Sequence, residues 1–417
     1  MRISIQTLGT RGDVQPYLAL AQGLIRRGHE LQLAAPAQFA DLVQANGVRF
    51  ASLPGEFLAL LDTPEGKAAV AGGQGFSAGF KLLKQVKPLM RRLLDEEWDV
   101  ARAFRPDLIV YHPKSLAAPH IAERLGIPAL LASPLPGFTP TRAFASPLLP
   151  VDSLGPLNRI SHLLMMRSAD LLFGKMLGQW RETALGLVGR RAKVEAAATL
   201  YAYSRHVLPV PQDWDAQRVL VAGYWFLDSG ADWQMPASMA QFLAAGDKPV
   251  YVGFGSMPGV DAGKLARTVI EGLALAGKRG LLASGGGALE VTEIPPHVHL
   301  IASAPHDRLF AHVSATLHHG GAGTTGAALR AGLPTLICPF FGDQPFWGRR
   351  IAALGAGPRP LDRRSLSAER LAAALSAMDD PQMRLRANAI GAKIRQEDGV
   401  GRAMDFIESH ARILLAA

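Results

Sequence analysis

SATLHHGGAGTTGAALRAGLPTLICPFFGDQPFWGR, residues Ser314 to Arg349, is the stretch from which the fold can be read. It opens with an apolar run, 314–319, that reads as a short buried strand ending in His318 and His319. Gly320, Gly321 and Gly323 supply a turn, 324–331 reads as a short helix closed by Gly332 and Pro334, and 335–338 reads as a second buried strand. Strand, glycine loop, helix and strand in succession form the repeating unit of a parallel α/β sheet. Such a loop suits an anion: the helix start offers unpaired N–H groups and roughly half a positive charge, and glycine leaves no Cβ in the way. The alternative is plain turn chemistry, because glycine turns before helices are common.

Asp343 and Gln344 follow the second strand, at the end of an open sheet where ligands bind. A carboxylate beside a carboxamide suits adjacent sugar hydroxyls, which want one acceptor and one group that both donates and accepts. The other reading is an Asx-type turn capping a helix that starts near Phe346. Together, HHGGAGTT (318–325) and PFFGDQPFWG (339–348) resemble the donor-binding signature of the UDP-glycosyltransferases, and most of all their sterol glucosyltransferase branch. The resemblance implies the GT-B fold: two facing Rossmann-like, doubly wound parallel-sheet domains with the active site in the cleft between them. Residues 1–227 are then the acceptor domain, 228–247 a linker, 248–395 the nucleotide-sugar domain, and 396–417 a helix crossing back to the first domain.

The chain begins as the same architecture demands. Residues 2–7 read as a strand, and the turn LGTRGD leads to a helix expected to begin around Pro16 and to end at Gly28. A nicotinamide-dinucleotide fold is excluded by spacing: GTRGD is not GxGxxG, no ribose-binding acid follows the second strand, and Asp13 would face a pyrophosphate. From spacing alone, Asp13 is either a carboxylate held at the mouth of the sheet or a helix cap. The resemblance favours the first, since similar glycosyltransferases carry GSRGDVQP here and its aspartate is taken as the catalytic base, with Gly12 beside the donor. By the same resemblance, His319 and the N–H groups around Gly321, Gly323 and Thr324 hold the diphosphate. Gly255 and Ser256 approach the distal phosphate, Pro305 and His306 stand in the uracil-binding loop, and Asp343 and Gln344 orient the sugar. Many plant relatives place tryptophan at the position of Ser303, so the choice between uridine and thymidine donors stays open.

Between the repeating units the pattern breaks. A proline-rich stretch, 133–157, containing Pro134, Pro136 and Phe138, precedes a Leu- and Met-rich helix, 160–177; both suit a lipophilic acceptor, and core packing explains them equally. Residues 59–79 read as a glycine-rich loop. The basic segment 80–94 either lies on an anionic membrane surface or is an ordinary surface helix interrupted near Pro88. Residues 207–210 and 219–221 read as the closing strands of the first domain. The triplet Asp213-Trp214-Asp215 follows prolines without the strand a metal site requires, so no metal and no cofactor is expected.

Composition narrows the class further. A chain of 417 residues with 48 % hydrophobic and 19 % charged residues is compact and long enough for two cores. The single Cys338 excludes an internal disulfide and suits a reducing cytoplasm, and no apolar run is long enough to span a membrane. The net charge of +9 suggests nucleic acid, but no basic tail, zinc-finger spacing or ribonucleoprotein pattern accompanies it; an anionic donor or membrane surface accounts for it better. The expected activity is an inverting, metal-independent transfer of a hexose, glucose from UDP-glucose foremost, to a hydroxyl of a lipophilic acceptor such as a sterol. The rivals are glycosylation of a macrolide, phenol or carotenoid from a UDP- or dTDP-sugar, a nucleotide-sugar epimerase, and a non-catalytic sensor.

Overall fold

The computed structural model describes residues 1–56, 75–188, 195–228, 233–255, 257, 261–285 and 287–415, with the backbone alone for 75–85 and 413–415. Ser256 and most of the expected 59–79 loop lie outside the described residues. The chain divides into two compact units, Met1–Arg205 with Pro209–Leu227 and Asp398–Ala417, and His206–Leu208 with Asp228–Glu397.

The first unit is built on seven parallel strands: β1 (Arg2–Gln6), β2 (Glu30–Pro36), β3 (Arg49–Leu53), β4 (Leu108–Tyr111), β5 (Ala129–Ser133), β6 (Ala198–Tyr201) and β7 (Val219–Val221). Their order is β3-β2-β1-β4-β5-β6-β7. β4 and β5 read as near-continuous apolar runs because both faces of the sheet are covered, and β1 is buried from Ile3 to Gln6 as well, Ser4 included. The helix Arg11–Arg26 packs on one face with Val14, Leu18 and Leu24 buried. The C-terminal helix Gly399–Leu415 lies against it, where a Cβ on Gly23 would stand 2.7 Å from Met404 Sδ.

The second unit carries five parallel strands, β8 (Val250–Gly253), β9 (Gly280–Ala283), β10 (Val298–Ile301), β11 (Ala315–His318) and β12 (Thr335–Ile337), in the order β10-β9-β8-β11-β12. The helix Ala237–Ala244 lies inside the stretch read as a linker, and its Met239 is buried against Tyr251 and Leu281 of this unit.

Several sequence expectations change. The first helix starts at Arg11 and runs through Pro16, whose ring costs a hydrogen bond only to the exposed Gly12. The basic segment is one 30-residue helix, Gly75–Phe104, continuous through Pro88 because Met90, Leu93, Leu94, Ala101 and Phe104 anchor it to the core. Its arginines are paired: Arg91 Nε donates to Asp95 at 3.2 Å, and Arg92 meets Glu96 and Glu56 at 2.6 and 2.8 Å. Lys87 is exposed, and the side chains of Lys81 and Lys84 lie outside the described residues. Residues 207–210 form a turn instead of a strand, since Pro209 and Pro211 have no N–H to give a ladder.

Candidate active site

In each sheet the strand order reverses once, between β1 and β4 and between β8 and β11, and ligands of open α/β sheets sit beyond the strand ends at such a switch point. At the first, the chain leaving β1 turns through Gly9, with φ +126°, and enters its helix so that Asp13 is the third helical residue. Asp13 Oδ2 accepts hydrogen bonds from the Thr10 N–H at 2.8 Å, the Thr10 hydroxyl at 3.2 Å and Lys114 Nζ at 3.0 Å. Its Oδ1 lies 3.3 Å from His112 Nε2. Both partners follow directly on β4.

The tautomer of His112 is determined by its other nitrogen. Nδ1 accepts the Lys114 N–H at 3.1 Å, so the proton of the neutral ring resides on Nε2 and is donated to Asp13. Burial keeps His112 below its ordinary pKa, against the pull of Asp13. For Asp13 itself burial acts upward, but the charge of Lys114 and the His112 hydrogen bond outweigh it and hold the carboxyl well below the usual range. The Tyr17 ring stands edge-on to His112 at 5.8 Å, and its hydroxyl donates to the Ala132 carbonyl of β5. Asp13 therefore caps its helix and is also a pinned carboxylate, 18 % exposed, at the mouth of the sheet.

Behind this loop lies a second carboxyl. Glu97 is fully buried, and burial raises its pKa to about 8, while Ser115 and the Ala117 N–H, just after Lys114, act in the opposite direction. A carboxyl protonated in the folded chain and ionised in the unfolded one costs stability as pH rises from the unfolded value near 4.5 through 8. The thermal midpoint is accordingly expected to carry a downward contribution from Glu97 between about pH 6 and 8, and Glu97→Gln should remove it. An unchanged slope in the variant would show that Glu97 is ionised in the folded chain.

Pro134, Pro136 and Phe138 follow β5 at the same edge of the sheet. Pro136 is buried and the other two are half-buried, Phe138 packing into the core behind Tyr111 and Leu131. The segment is fastened at both ends: the Phe138 N–H donates to the Tyr201 hydroxyl at 3.2 Å, and Asp213 accepts from the Thr141 hydroxyl at 2.6 Å and the Arg142 N–H at 2.9 Å. The first aspartate of the acidic triplet is thus a loop anchor.

At the second switch point, β8 runs into Phe254 and Gly255, and β11 into His319, Gly320 and Gly321. Gly320 adopts φ +96°, and a Cβ there would stand 2.7 Å from Ile337 Cγ2; one on Gly321 would stand 2.6 Å from His319 Nε2. The loop therefore closes tightly around the imidazole, and Gly255, with φ +60°, lies on its other side. Burial lowers the pKa of His319 to about 4, against the Gly253 backbone, so the ring is neutral at pH 7. His318 points inward and is fully buried; its Nδ1 accepts the Gly320 N–H at 3.0 Å and braces the turn.

The helix of this loop is Ala322–Arg330, two residues earlier than the sequence suggests, because Gly321 in extended geometry takes the capping position. Its first intrahelical bond is Thr325 N–H to Gly321 O at 3.0 Å, which leaves the N–H groups of Ala322, Gly323 and Thr324 as the first turn. The next helix likewise starts early, Gln344–Ala353, with Asp343 at the capping position and no side-chain capping bond; Asp343 Oδ2 accepts from Trp347 Nε1 at 2.8 Å instead. Gln344 departs from expectation. Its side chain is buried, Oε1 accepting from Phe340 N–H at 2.7 Å and Phe341 N–H at 3.2 Å, with Nε2 3.4 Å from Met257 Sδ. The carboxamide ties its own loop, and Asp343 is the half-exposed member of the pair. Pro305 caps the short helix His306–Leu309, and the His306 ring stacks on Phe310 at 4.6 Å with Nε2 3.4 Å from the Tyr251 hydroxyl.

His112 and Lys114 were missed from sequence. The available signal was YHPK directly after an apolar strand, an imidazole and an ammonium at a strand end, but only the sheet order brings that end beside Asp13.

Known proteins resemble the chain along both units. The Glycosyltransferase family 28 N-terminal domain matches residues 3–144, and the C-terminal domain of Erythromycin biosynthesis protein CIII-like proteins matches 284–398. A sterol 3-beta-glucosyltransferase of Arabidopsis thaliana is 35 % identical over 98 % of this chain, which covers 68 % of that protein; one of Neosartorya fischeri is 36 % identical over 98 %, with 29 % of its length covered. The chain therefore spans less than a third of the fungal relatives it matches. Among solved structures, the calicheamicin glycosyltransferase CalG4 superposes with a TM-score of 0.72 at 21 % identity, covering 98 % of both chains. The glycosyltransferase VinC, solved with dTDP, superposes with 0.66 at 18 % identity, covering 99 % of this chain and all of that one. The fold is thus GT-B, and over nearly its whole length the chain belongs to the family of the sterol 3-beta-glucosyltransferases.

Proposed function

We propose that this chain is an inverting glucosyltransferase that moves glucose from UDP-glucose to the hydroxyl of a sterol or similar lipophilic alcohol. The observation that carries this is that each unit holds a site at its own switch point: a pinned carboxylate in the first, and in the second a glycine loop at a helix start with a neutral imidazole beside it. Asp13 takes the proton of the acceptor hydroxyl as its oxygen attacks the anomeric carbon from the face opposite the diphosphate. The C–O bond to the diphosphate breaks, and UDP leaves with the electron pair. The first-turn N–H groups of Ala322, Gly323 and Thr324, with His319, receive the charge that grows on the leaving phosphate. Asp343 holds sugar hydroxyls, while Gln344 shapes the loop that presents it. His112 and Lys114 fix the direction of the Asp13 carboxylate; an arriving acceptor hydroxyl replaces part of what Lys114 supplies.

UDP release is expected to require both donor and acceptor, with a glucosylated sterol detected by mass spectrometry. Donor turnover without acceptor would point to the epimerase instead. Because the leaving charge is met by N–H groups and an imidazole, activity should also survive EDTA; a strict requirement restored by Mg²⁺ or Mn²⁺ would overturn that account of the leaving group. A thymidine-sugar donor and a secondary-metabolite acceptor form the second reading, supported by the exposed Ser303 in the base loop, where stacking tryptophan is lacking. Parallel assays with UDP- and dTDP-glucose decide between them.

A further inference from the structure

Ten of the fifteen large apolar side chains exposed among the described residues fall between Leu148 and Leu172 in the first unit. Three precede the turn 155–157, and the other seven cover that turn and the first half of the helix Asn158–Leu185, which is built inside out. Its inward face carries Asn158, Ser161 and His162, all buried: Asn158 donates to the Arg142 carbonyl at 2.9 Å, Ser161 accepts the Ser146 N–H at 2.8 Å, and His162 Nε2 lies 3.1 Å from the Phe144 carbonyl. Its outward face presents Ile160, Leu163, Leu164 and Leu171, spaced three, four and seven residues apart on one stripe, with Leu164 62 % and Leu171 87 % exposed. An apolar patch of this kind on a water-soluble surface marks an interaction site.

The chemistry around the stripe identifies its partner. Arg167 and Lys175 lie along the exposed face beside the leucines, and residues 142–175 hold four basic side chains against two acidic ones, in a chain of net charge +9. Protein-binding hot spots favour Trp, Tyr and Arg at a packed centre. Here the centre is leucine and isoleucine with cations beside them, the composition of helices that lie in a lipid headgroup layer. We infer that the outward face of residues 157–172 rests on an anionic bilayer, seating the first unit on the membrane from which its acceptor is drawn. This inference rests on the proposed lipophilic acceptor for its purpose, but its geometry stands independently. The surface is distinct from the basic helix Gly75–Phe104, for which the sequence left a membrane face and an ordinary surface helix as alternatives.

The test is flotation of the full chain with phosphatidylcholine vesicles and with vesicles containing 30 % phosphatidylserine. The wild-type chain is expected to float with the anionic vesicles at low salt, less at high salt, and little with neutral ones. Leu157→Ser/Leu164→Ser/Leu171→Ser should reduce the bound fraction at least tenfold, and Arg167→Gln/Lys175→Gln should reduce it severalfold. All three residues of the triple variant are exposed, so its thermal midpoint and UDP affinity should match wild type. Equal flotation of wild type and triple variant overturns the inference, as does wild type that never floats. So does a wild-type dimer that the triple change converts to monomer while vesicle binding is unaffected, which would make the stripe a contact between copies. Flotation without sterol glucosylation would sink the proposed acceptor and leave the surface standing; glucosylation of cyclodextrin-solubilised sterol without flotation would do the reverse.

Discussion

Replacing Asp13 by asparagine is expected to lower kcat by about a hundred- to ten-thousand-fold, the usual worth of a general base, while donor affinity changes little. The amide oxygen of asparagine can still accept the Thr10 N–H that Asp13 Oδ2 holds at 2.8 Å, so the helix start survives. What is lost is a carboxylate able to take a proton. Lys114 and His112 hold the Asp13 carboxyl well below the usual carboxylate range, against its burial, so it is ionised at pH 7. The control is the thermal midpoint, because Lys114 and His112 lose their anionic partner in the variant. A variant retaining more than half of the wild-type kcat at saturating acceptor would show that Asp13 serves only as a cap.

His319→Ala should reduce kcat/KM about 10- to 150-fold, the equivalent of roughly 1.5–3 kcal/mol for a hydrogen bond to a charged group. Both donor binding and rate should suffer, since the phosphate is charged in the ground state and gains charge as it leaves. The pH profile provides the sharper check. The neutral ring is protonated only near pH 4, so the His319 contribution is fully present at pH 7 and is kept as pH falls to 5.5. If catalysis instead needed an imidazolium, kcat/KM would rise as pH fell through the ordinary histidine range. Folding stability runs the other way: a lowered histidine pKa means that the unfolded chain takes up protons first, and stability declines from about pH 6.5 toward 4. A flat kcat/KM over a window in which the midpoint already falls would separate the two effects.

The donor half was legible because its signal is local. Gly320, Gly321 and Gly323 between an apolar run and a short helix specify a turn and a helix start within ten consecutive residues, and that unit appears with its ends shifted by only two positions. The first helix and the Gln344 helix also began earlier than expected, for the same reason: capping geometry lies in backbone angles, which residue type constrains loosely. Other features depended on partners far away in the chain. Asp13 is 101 residues from Lys114, and only the β1-to-β4 pairing makes the two neighbours. Gln344 looked like a sugar ligand because its type suits one, but its loop claimed the oxygen first. The basic helix could be read from sequence as a membrane surface or an ordinary surface helix, and its arginines have acidic partners one turn away, while the leucine-bearing helix revealed its outward face only once Asn158, Ser161 and His162 were seen to be buried. By itself the sequence determined the class of each unit and the strand, glycine turn and helix that run from β11 to Arg330, since glycine spacing and apolar runs act over a few residues. Which carboxylate is pinned, which carboxamide is spent and which helix face meets the outside were decided by tertiary structure, because burial and hydrogen-bond partnership belong to pairs of residues that the chain brings together only when it folds.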